Sequence, residues 1–381
     1  MYRESAVVIY CNYLLPHSET FVRSQAEALQ DFIPYYAGCR RVPGLPLPQE
    51  RTFVINNGGL FGKTSEVSYK LCGFAPTFLR QIRKLNPKLI HAHFGQNAAI
   101  ALPLVRDLAV PLIVTFHGYD ATVKDEYACR SSNSHRLYLA RRELLKHEAQ
   151  LFIAVSEFIK DKLLDQGFPP DKIVVHYIGV DTELFQPNPS VQRQPVVLFV
   201  ARLVEKKGCE YLIEAMSKVQ ATMPEVELVV IGDGPLRPSL EQLAGKMLQR
   251  YQFIGVQPSD IIRAWMNQAK VFCVPSITAK SGDSEGFGIV FAEAQAMGLP
   301  VVSFATGGIP EAVADCETGF LTTERDSEGL AAYILRLLKD EELWHKFSQN
   351  SQKRVRNSFN LQQQTRVLEN LYKHMILSRN I

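Results

Sequence analysis

The stretch VVLFVARLVEKKGCEYLIEAMSKVQATMPEVELVVIGDG, residues 196–234, sets a short apolar run, an amphipathic run and a second apolar run in succession. Val196–Val200 and Val226–Ile231 are short and rich in β-branched residues, the pattern of strands buried on both faces. Glu210–Ala221 between them carries helical spacing, and a strand, a helix and a strand in that order form a parallel unit with a crossover helix. The alternation continues towards the C-terminus with strands at Val271–Val274 and Val301–Phe304 and helices at Ile261–Gln268 and Gly288–Met297. Towards the N-terminus it gives strands at Ala6–Cys11, Ile33–Tyr36, Lys88–His91, Leu112–Thr115, Leu151–Val155 and Ile173–Tyr177. Helices are expected there at Ser18–Gln30, Asn97–Leu108 and Ser134–Ala149, with Ser18 and Asn97 as N-caps.

A chain of 381 residues is too long for one hydrophobic core and suits two. Asp181–Ser190, polar and twice interrupted by proline, reads as the linker. The expected organisation is an α/β chain of two Rossmann-like domains whose parallel sheets face a central cleft. The N-terminal domain covers 1–185 and the C-terminal domain 191–358, and a helix in 359–381 returns to the first domain. Ligands of such sheets bind outside the carboxyl ends of the strands.

Apolar content of 46% with 21% charged residues is that of a globular protein, and a net charge of +3 calls for no nucleic-acid partner. The seven cysteines never fall in a Cys-x-x-Cys pair and read as reduced thiols. The first apolar stretch, Ala6–Cys11, is too short for a signal peptide, and no run approaches the ~20 residues needed to span a bilayer, so a cytoplasmic location is expected. A dehydrogenase would place Gly-x-Gly-x-x-Gly after a strand, and neither half has that spacing.

The chemistry concentrates in Ser284-Glu285-Gly286-Phe287-Gly288-Ile289-Val290-Phe291-Ala292-Glu293-Ala294, between a strand and a helix. Glycines opening a helix let amides approach an anion, and the helix dipole favours phosphate there. Glu285 and Glu293 flank that position and are acceptors suited to sugar hydroxyls.

Glu285 and Glu293 with Phe287-Gly288 between them resemble the Glu-x-Phe-Gly-x-x-x-x-Glu motif of retaining glycosyltransferase family 4, including its exopolysaccharide and lipopolysaccharide enzymes. Ala201-Arg202-Leu203-Val204-Glu205-Lys206-Lys207-Gly208 is similar to the family's Gly-Arg-Leu-x-x-x-Lys-Gly loop, with Ala201 in place of the first glycine. Ile231–Pro235, Phe253–Gly255, Val274–Ser276 and Gly307–Glu311 match further landmarks in the family's order.

The resemblance implies a fold of the GT-B type. It implies a retaining, metal-independent transfer of a hexose from a nucleotide diphosphate sugar, a UDP-sugar first, with no other cofactor. Whether retention uses front-face attack or a covalent intermediate stays open. The acceptor would be a saccharide or a lipid-linked saccharide in polysaccharide or glycan biosynthesis.

By the same resemblance Arg202 and Lys207 bind the diphosphate and stabilise its departing charge. Glu293 takes the ribose hydroxyls, Glu285 reaches the donor sugar, and the backbone of Gly286, Phe287, Gly288 and Ile289 holds sugar and phosphate. The base lies near Gly255 and Val256. His117, in Thr115-Phe116-His117-Gly118-Tyr119-Asp120, resembles the family's His-Gly-x-Asp histidine beside the donor sugar. Ser18, in Ser18-Glu19-Thr20-Phe21, replaces a Gly-Gly pair and could supply a hydroxyl and amides. His91-Ala92-His93 has no third ligand at metal spacing and reads as structural or as an acceptor contact.

Arg80, Arg83 and Lys84 share one helical face, and Arg136, Arg141, Arg142 and Lys146 crowd another helix. Both are candidates for peripheral contact with anionic lipid at the inner face of the plasma membrane. Outside this class stand a nucleotide-sugar epimerase of similar fold and a non-catalytic nucleotide-sugar-binding module.

Overall fold

The computed structural model describes residues 5–378. The chain forms two compact units: residues 1–179 with 361–381, and residues 180–360.

In the first unit the strands are β1 Ser5–Tyr10, β2 Tyr13–Leu14, β3 Phe32–Arg41, β4 Thr52–Asn56, β5 Leu89–His93, β6 Leu112–Phe116, β7 Leu151–Ala154 and β8 Ile173–Val175. The helices are α1 Thr20–Glu27, α2 Gly59–Cys72, α3 Pro76–Lys84, α4 Gly95–Leu108, α5 Tyr119–Thr122, α6 Asp125–Ser131, α7 Asn133–Glu148 and α8 Glu157–Asp165. All the strands pair in parallel in the order β2-β3-β1-β5-β6-β7-β8, with β4 also on β3. The order of connection reverses between β1 and β5, so a crevice opens at their carboxyl ends.

In the second unit come β9 Val196–Val200, α9 Cys209–Thr222, β10 Glu227–Ile231, α10 Arg237–Met247, β11 Tyr251–Phe253, α11 Ser259–Gln268 and β12 Val271–Cys273. They are followed by α12 Ile289–Ala296, β13 Val301–Phe304, α13 Ile309–Ala312, β14 Gly319–Thr322, α14 Ser327–Lys339 and α15 Glu341–Ser358. The six-stranded parallel sheet runs β11-β10-β9-β12-β13-β14. Its switch point falls between β9 and β12, so the loops leaving those two strands border the ligand crevice.

The last helix, α16 Leu361–Leu377, joins the first unit. Leu368 and Tyr372 enter a core shared with Val7, Ile9, Phe32 and Tyr36. Glu369 accepts the Gln30 and Asp31 amides at 2.7 and 2.6 Å, which caps the turn after α1. The Tyr372 hydroxyl lies 2.6 Å from Nδ1 of His91, whose Nε2 meets the Thr115 hydroxyl at 2.6 Å. His91 is thus a core histidine with both ring nitrogens occupied.

Three local expectations change. The first helix starts at Thr20 with Glu19 in the N-cap position and no side-chain cap, because the chain bridges at Pro16 and turns through Ser18 first. Asn97 lies inside α4, and Phe94 takes the N-cap position; the Asn97 amide donates to the His93 carbonyl at 2.7 Å instead. The stretch between Tyr36 and Lys88, where the sequence suggests only the helical face of Arg80, Arg83 and Lys84, holds β4, α2 and α3, the last of which carries that face.

Removing the Tyr372 ring should cost about 3–5 kcal/mol, the scale for deleting a buried aromatic. Urea unfolding of Tyr372→Ala measures it; Tyr372→Phe, which loses only the hydroxyl, should cost about 1 kcal/mol.

Candidate active site

The two loops at the switch point of the second unit are clasped together. After β9 the chain turns through Leu203–Lys207 to Gly208, whose φ of +59° lies in the left-handed region. A β-carbon on Gly208 would stand 2.0 Å from the Pro275 carbonyl oxygen, so only glycine lets this loop lie against the segment leaving β12. The Ile277 amide donates to the Lys206 carbonyl at 2.8 Å, and Lys206 Nζ donates to Asp283 at 2.9 Å in a buried pair.

One residue further along the first loop and two along the second lies the central contact: Lys207 Nζ donates to Glu285 Oε2, with both side chains nearly closed off from solvent. Burial alone would raise the Glu285 carboxyl. The charges of Lys207, Lys206 and Arg202 and the Lys207 hydrogen bond together outweigh it, and the group is held at about 2. Burial lowers the Lys207 ammonium, and the Glu285 charge opposes that shift. Arg202 is exposed, yet its charge is felt at both groups, which places a third cation beside the pair.

Glu285 is also fixed from behind. The Gly308 amide donates to its carbonyl at 2.8 Å, and a β-carbon on Gly307, at φ +57°, would lie 2.3 Å from that oxygen. Beyond it the Phe287 ring is buried on Phe359 at 5.0 Å, which leaves only its backbone for a ligand. Gly288 takes the N-cap position of α12, and no side chain satisfies the amides of that first turn. Glu293, in the second turn, is partly buried with no hydrogen-bond partner for its carboxylate among the described residues. Burial pushes it up to about 7. Gly255 and Val256 follow edge strand β11; the Gly255 carbonyl accepts the Gly232 amide at 2.8 Å, and the Val256 side chain is exposed.

In the first unit, loops from β1, β5 and β6 meet around His117. Its Nε2 lies 3.0 Å from His93 Nδ1, and the Phe21 and Phe94 rings pack on it at 4.8 and 4.6 Å. Burial holds the His117 imidazole far below the usual range, with His93 adding, so the ring is neutral at ordinary pH. Its Nδ1 is buried without a partner among the described residues, as is Oε2 of Glu19, whose carboxyl burial raises to about 7.

Asp120 accepts the His117 and Gly118 amides at 3.0 Å each and the Gly95 amide at 2.9 Å, tying the two loops into one piece. Phe94, at φ +71°, carries the backbone strain of this junction. Ser18 lies exposed in the turn before α1 and caps nothing.

The site residues expected from the sequence therefore fall into two groups. Arg202, Lys207 and Glu285 are brought together, with Gly286–Gly288 leading into α12, which carries Ile289 and Glu293; His117 and Ser18 belong to the other unit. Sequence reasoning passed over Glu19, Phe21, Phe94 and the second pair Lys206–Asp283. Glu19 and Phe21 carried a signal as neighbours of Ser18, and Lys206 as the neighbour of Lys207. The arginine run on α7 is engaged internally: Arg141 donates to the Ala99 and Lys70 carbonyls, Arg142 pairs with Asp125, and Lys146 with Glu143.

The chain belongs to glycosyltransferase family 4. The pattern described as Glycosyltransferase Family 4 matches residues 18–184, and that of Glycosyl transferases group 1 matches residues 180–354. The chain is 32% identical over 292 residues to the putative colanic acid biosynthesis glycosyltransferase WcaL of Salmonella typhimurium, covering 74% of this chain and 69% of the relative. It is 34% identical to the amylovoran biosynthesis glycosyltransferase AmsK of Erwinia amylovora over 65% of its own length and 61% of that protein's. Among solved structures, Anabaena HepE in complex with UDP and glucose superposes with a TM-score of 0.76 at 21% identity, covering 97% of this chain and 99% of that one. Two parallel-sheet Rossmann-like units are the GT-B architecture.

Removing one member of a buried ion pair strands the other, at about 3–5 kcal/mol. Glu285→Ala should lose that much stability in denaturant unfolding. The double variant Glu285→Ala with Lys207→Met should recover most of it; no recovery would show that the pair is not coupled.

Proposed function

We propose that this chain is a retaining hexosyltransferase of polysaccharide or glycan assembly. It moves a hexose from a nucleotide diphosphate sugar, a UDP-sugar foremost, to a saccharide or lipid-linked acceptor without needing a metal ion. The observation that carries the reading is the Lys207–Glu285 pair with Arg202 beside it, at the switch point of a Rossmann-like sheet.

A departing nucleoside diphosphate develops negative charge on its terminal phosphate. Lys207 carries three donors, of which Glu285 takes one, and the rest can meet phosphate oxygens. Arg202 adds a planar donor fork from the solvent side, and the free amides of α12 add dipole. These cations, fixed before the reaction, supply the stabilisation that a metal would otherwise provide. Glu285, anchored by the Gly308 amide, faces the donor sugar, and Glu293 receives the ribose hydroxyls. Gly255 and Val256 border the base, and the backbone of Gly286, Phe287, Gly288 and Ile289 lines the sugar and phosphates. The family resemblance also assigns His117 to the donor sugar and Ser18 to the phosphate.

Arg202 is exposed and its side chain makes no hydrogen bond or ion pair among the described residues, so Arg202→Ala should leave the melting temperature unchanged while lowering turnover roughly 10²–10³-fold, the loss typical of one charge-stabilising donor. Wild-type turnover in that variant would refute the reading. Activity should be complete in excess chelator. A melting-temperature screen with UDP-, GDP- and ADP-sugars should show its largest rise with a UDP-sugar, since a ligand bound only by the folded chain stabilises it.

The affinity for UDP should depend on pH through Glu293. Its carboxyl titrates near 7, and only the ionised form offers both oxygens as acceptors. Calorimetric affinity should therefore rise as pH increases through about 7, and Glu293→Gln should flatten the profile.

A further inference from the structure

Helix α2 is built inside out. Its buried residues are Glu66 and Tyr69, and Glu66 holds the helix down by accepting from Arg40, Asn56 and Lys70. The carboxyl of Glu66 is pushed up by burial but drawn down further by those donors, to about 2. The opposite stripe, by i, i+4, i+7 and i+11 spacing, is Leu60, Thr64, Val67 and Leu71. Leu60 is 80% exposed, Leu71 72% and Val67 55%; Phe61 beside them is 89% exposed and Phe74 just past the helix 64%. An ordinary surface helix turns its apolar stripe to the core. A contiguous apolar patch left outside marks an interaction site.

The charge around the patch has one sign. Residues 57–88 contain six cations, Lys63, Lys70, Arg80, Arg83, Lys84 and Lys88, and one acid, Glu66, a net of +5. The single acid is buried, and Lys70 and Arg83 are paired, with Glu66 and Asp107. Lys63, Arg80 and Lys84 are exposed and have no carboxylate partner among the described residues. A groove of about 400 Å³ separates α2 from α3, with Thr64 and Ser68 of α2, Thr77 and Gln81 of α3, and Val54 and Phe74 among its lining. Arg80 and Lys84 share the α3 face of Thr77 and Gln81, whereas Lys63 borders the α2 stripe on the side away from the groove. Apolar side chains thus occupy the middle, with cations on both margins.

We propose that α2, α3 and the groove between them dock this chain on an anionic lipid bilayer, Leu60, Phe61, Leu71 and Phe74 entering the acyl boundary while Lys63, Arg80 and Lys84 meet the headgroup phosphates. An interfacial helix binds in this way, by apolar insertion plus attraction to anionic lipid. A second copy of the chain is a poorer occupant, because a two-fold contact would set these unpaired cations against the same cations of its mate.

Flotation of the full chain with vesicles tests this without any donor, acceptor or turnover, so its outcome is independent of the proposed reaction. The chain should float with phosphatidylcholine vesicles containing phosphatidylglycerol and not with phosphatidylcholine alone. Leu60→Asp with Phe61→Asp should weaken binding at least roughly ten-fold, and Arg80→Gln and Lys84→Gln roughly five-fold each. These positions are exposed, so circular dichroism and the melting temperature should stay unchanged. In Phe61→Trp, the emission difference from the parent chain should shift to the blue on anionic vesicles and be quenched by brominated acyl chains. Absent flotation, charge variants that bind like the parent, or no quenching would each overturn the proposal. So would a concentration-dependent dimer in analytical ultracentrifugation that the aspartate variants abolish.

Discussion

The Lys207–Glu285 contact is the constraint around which the second unit's site is arranged. Two opposite charges taken out of water at the ends of neighbouring strands are tolerable only if they meet with good geometry. Everything near them enforces that meeting. Gly208 lets the β9 loop lie on Pro275, the Ile277 amide and Lys206–Asp283 bind the loops a second time, and the Gly307-Gly308 turn seats Glu285. The outcome is a region with fixed positive charge beside an uncapped helix N-terminus, an arrangement suited to an anionic group.

The first unit solves a different problem. Its crevice gathers no cation: His93 and His117 are stripped of charge by burial, the Asp120 carboxylate is absorbed by three backbone amides, and Glu19 and His117 each keep one polar atom without a partner among the described residues. Buried atoms of that kind ordinarily find partners. Two of them at the carboxyl ends of one sheet are suited to hydroxyl groups, which can donate to or accept from either.

Helix α2 departs from the rule that makes the rest of the fold readable. Elsewhere apolar periodicity marks the buried face, as in β9 and β10, whose residues are almost all inaccessible. In α2 the buried face holds a glutamate and a tyrosine, so the apolar period points outward and periodicity reports a surface instead of a core. That reversal is why this segment has no assignment in the sequence reading, although its six cations against one acid are plain in the sequence. On α7 the reverse holds: arginines that look like a charged surface donate to backbone carbonyls and a neighbouring aspartate.

The sequence by itself determined the alternation of strands and helices, and hence two parallel sheets, because a β-branched run followed by an amphipathic stretch has few other ways to bury its apolar groups. It also carried the motifs holding Arg202, Lys207, Glu285, Glu293 and His117, since a helix N-terminus with glycines before it is a local feature. Only the tertiary structure decided that Lys207 and Glu285 meet, that Lys206 takes Asp283, that His93 leans on His117, and that the returning α16 sets Tyr372 against His91. Each of these joins residues far apart along the chain, and strand order, which local sequence does not encode, sets which loops become neighbours.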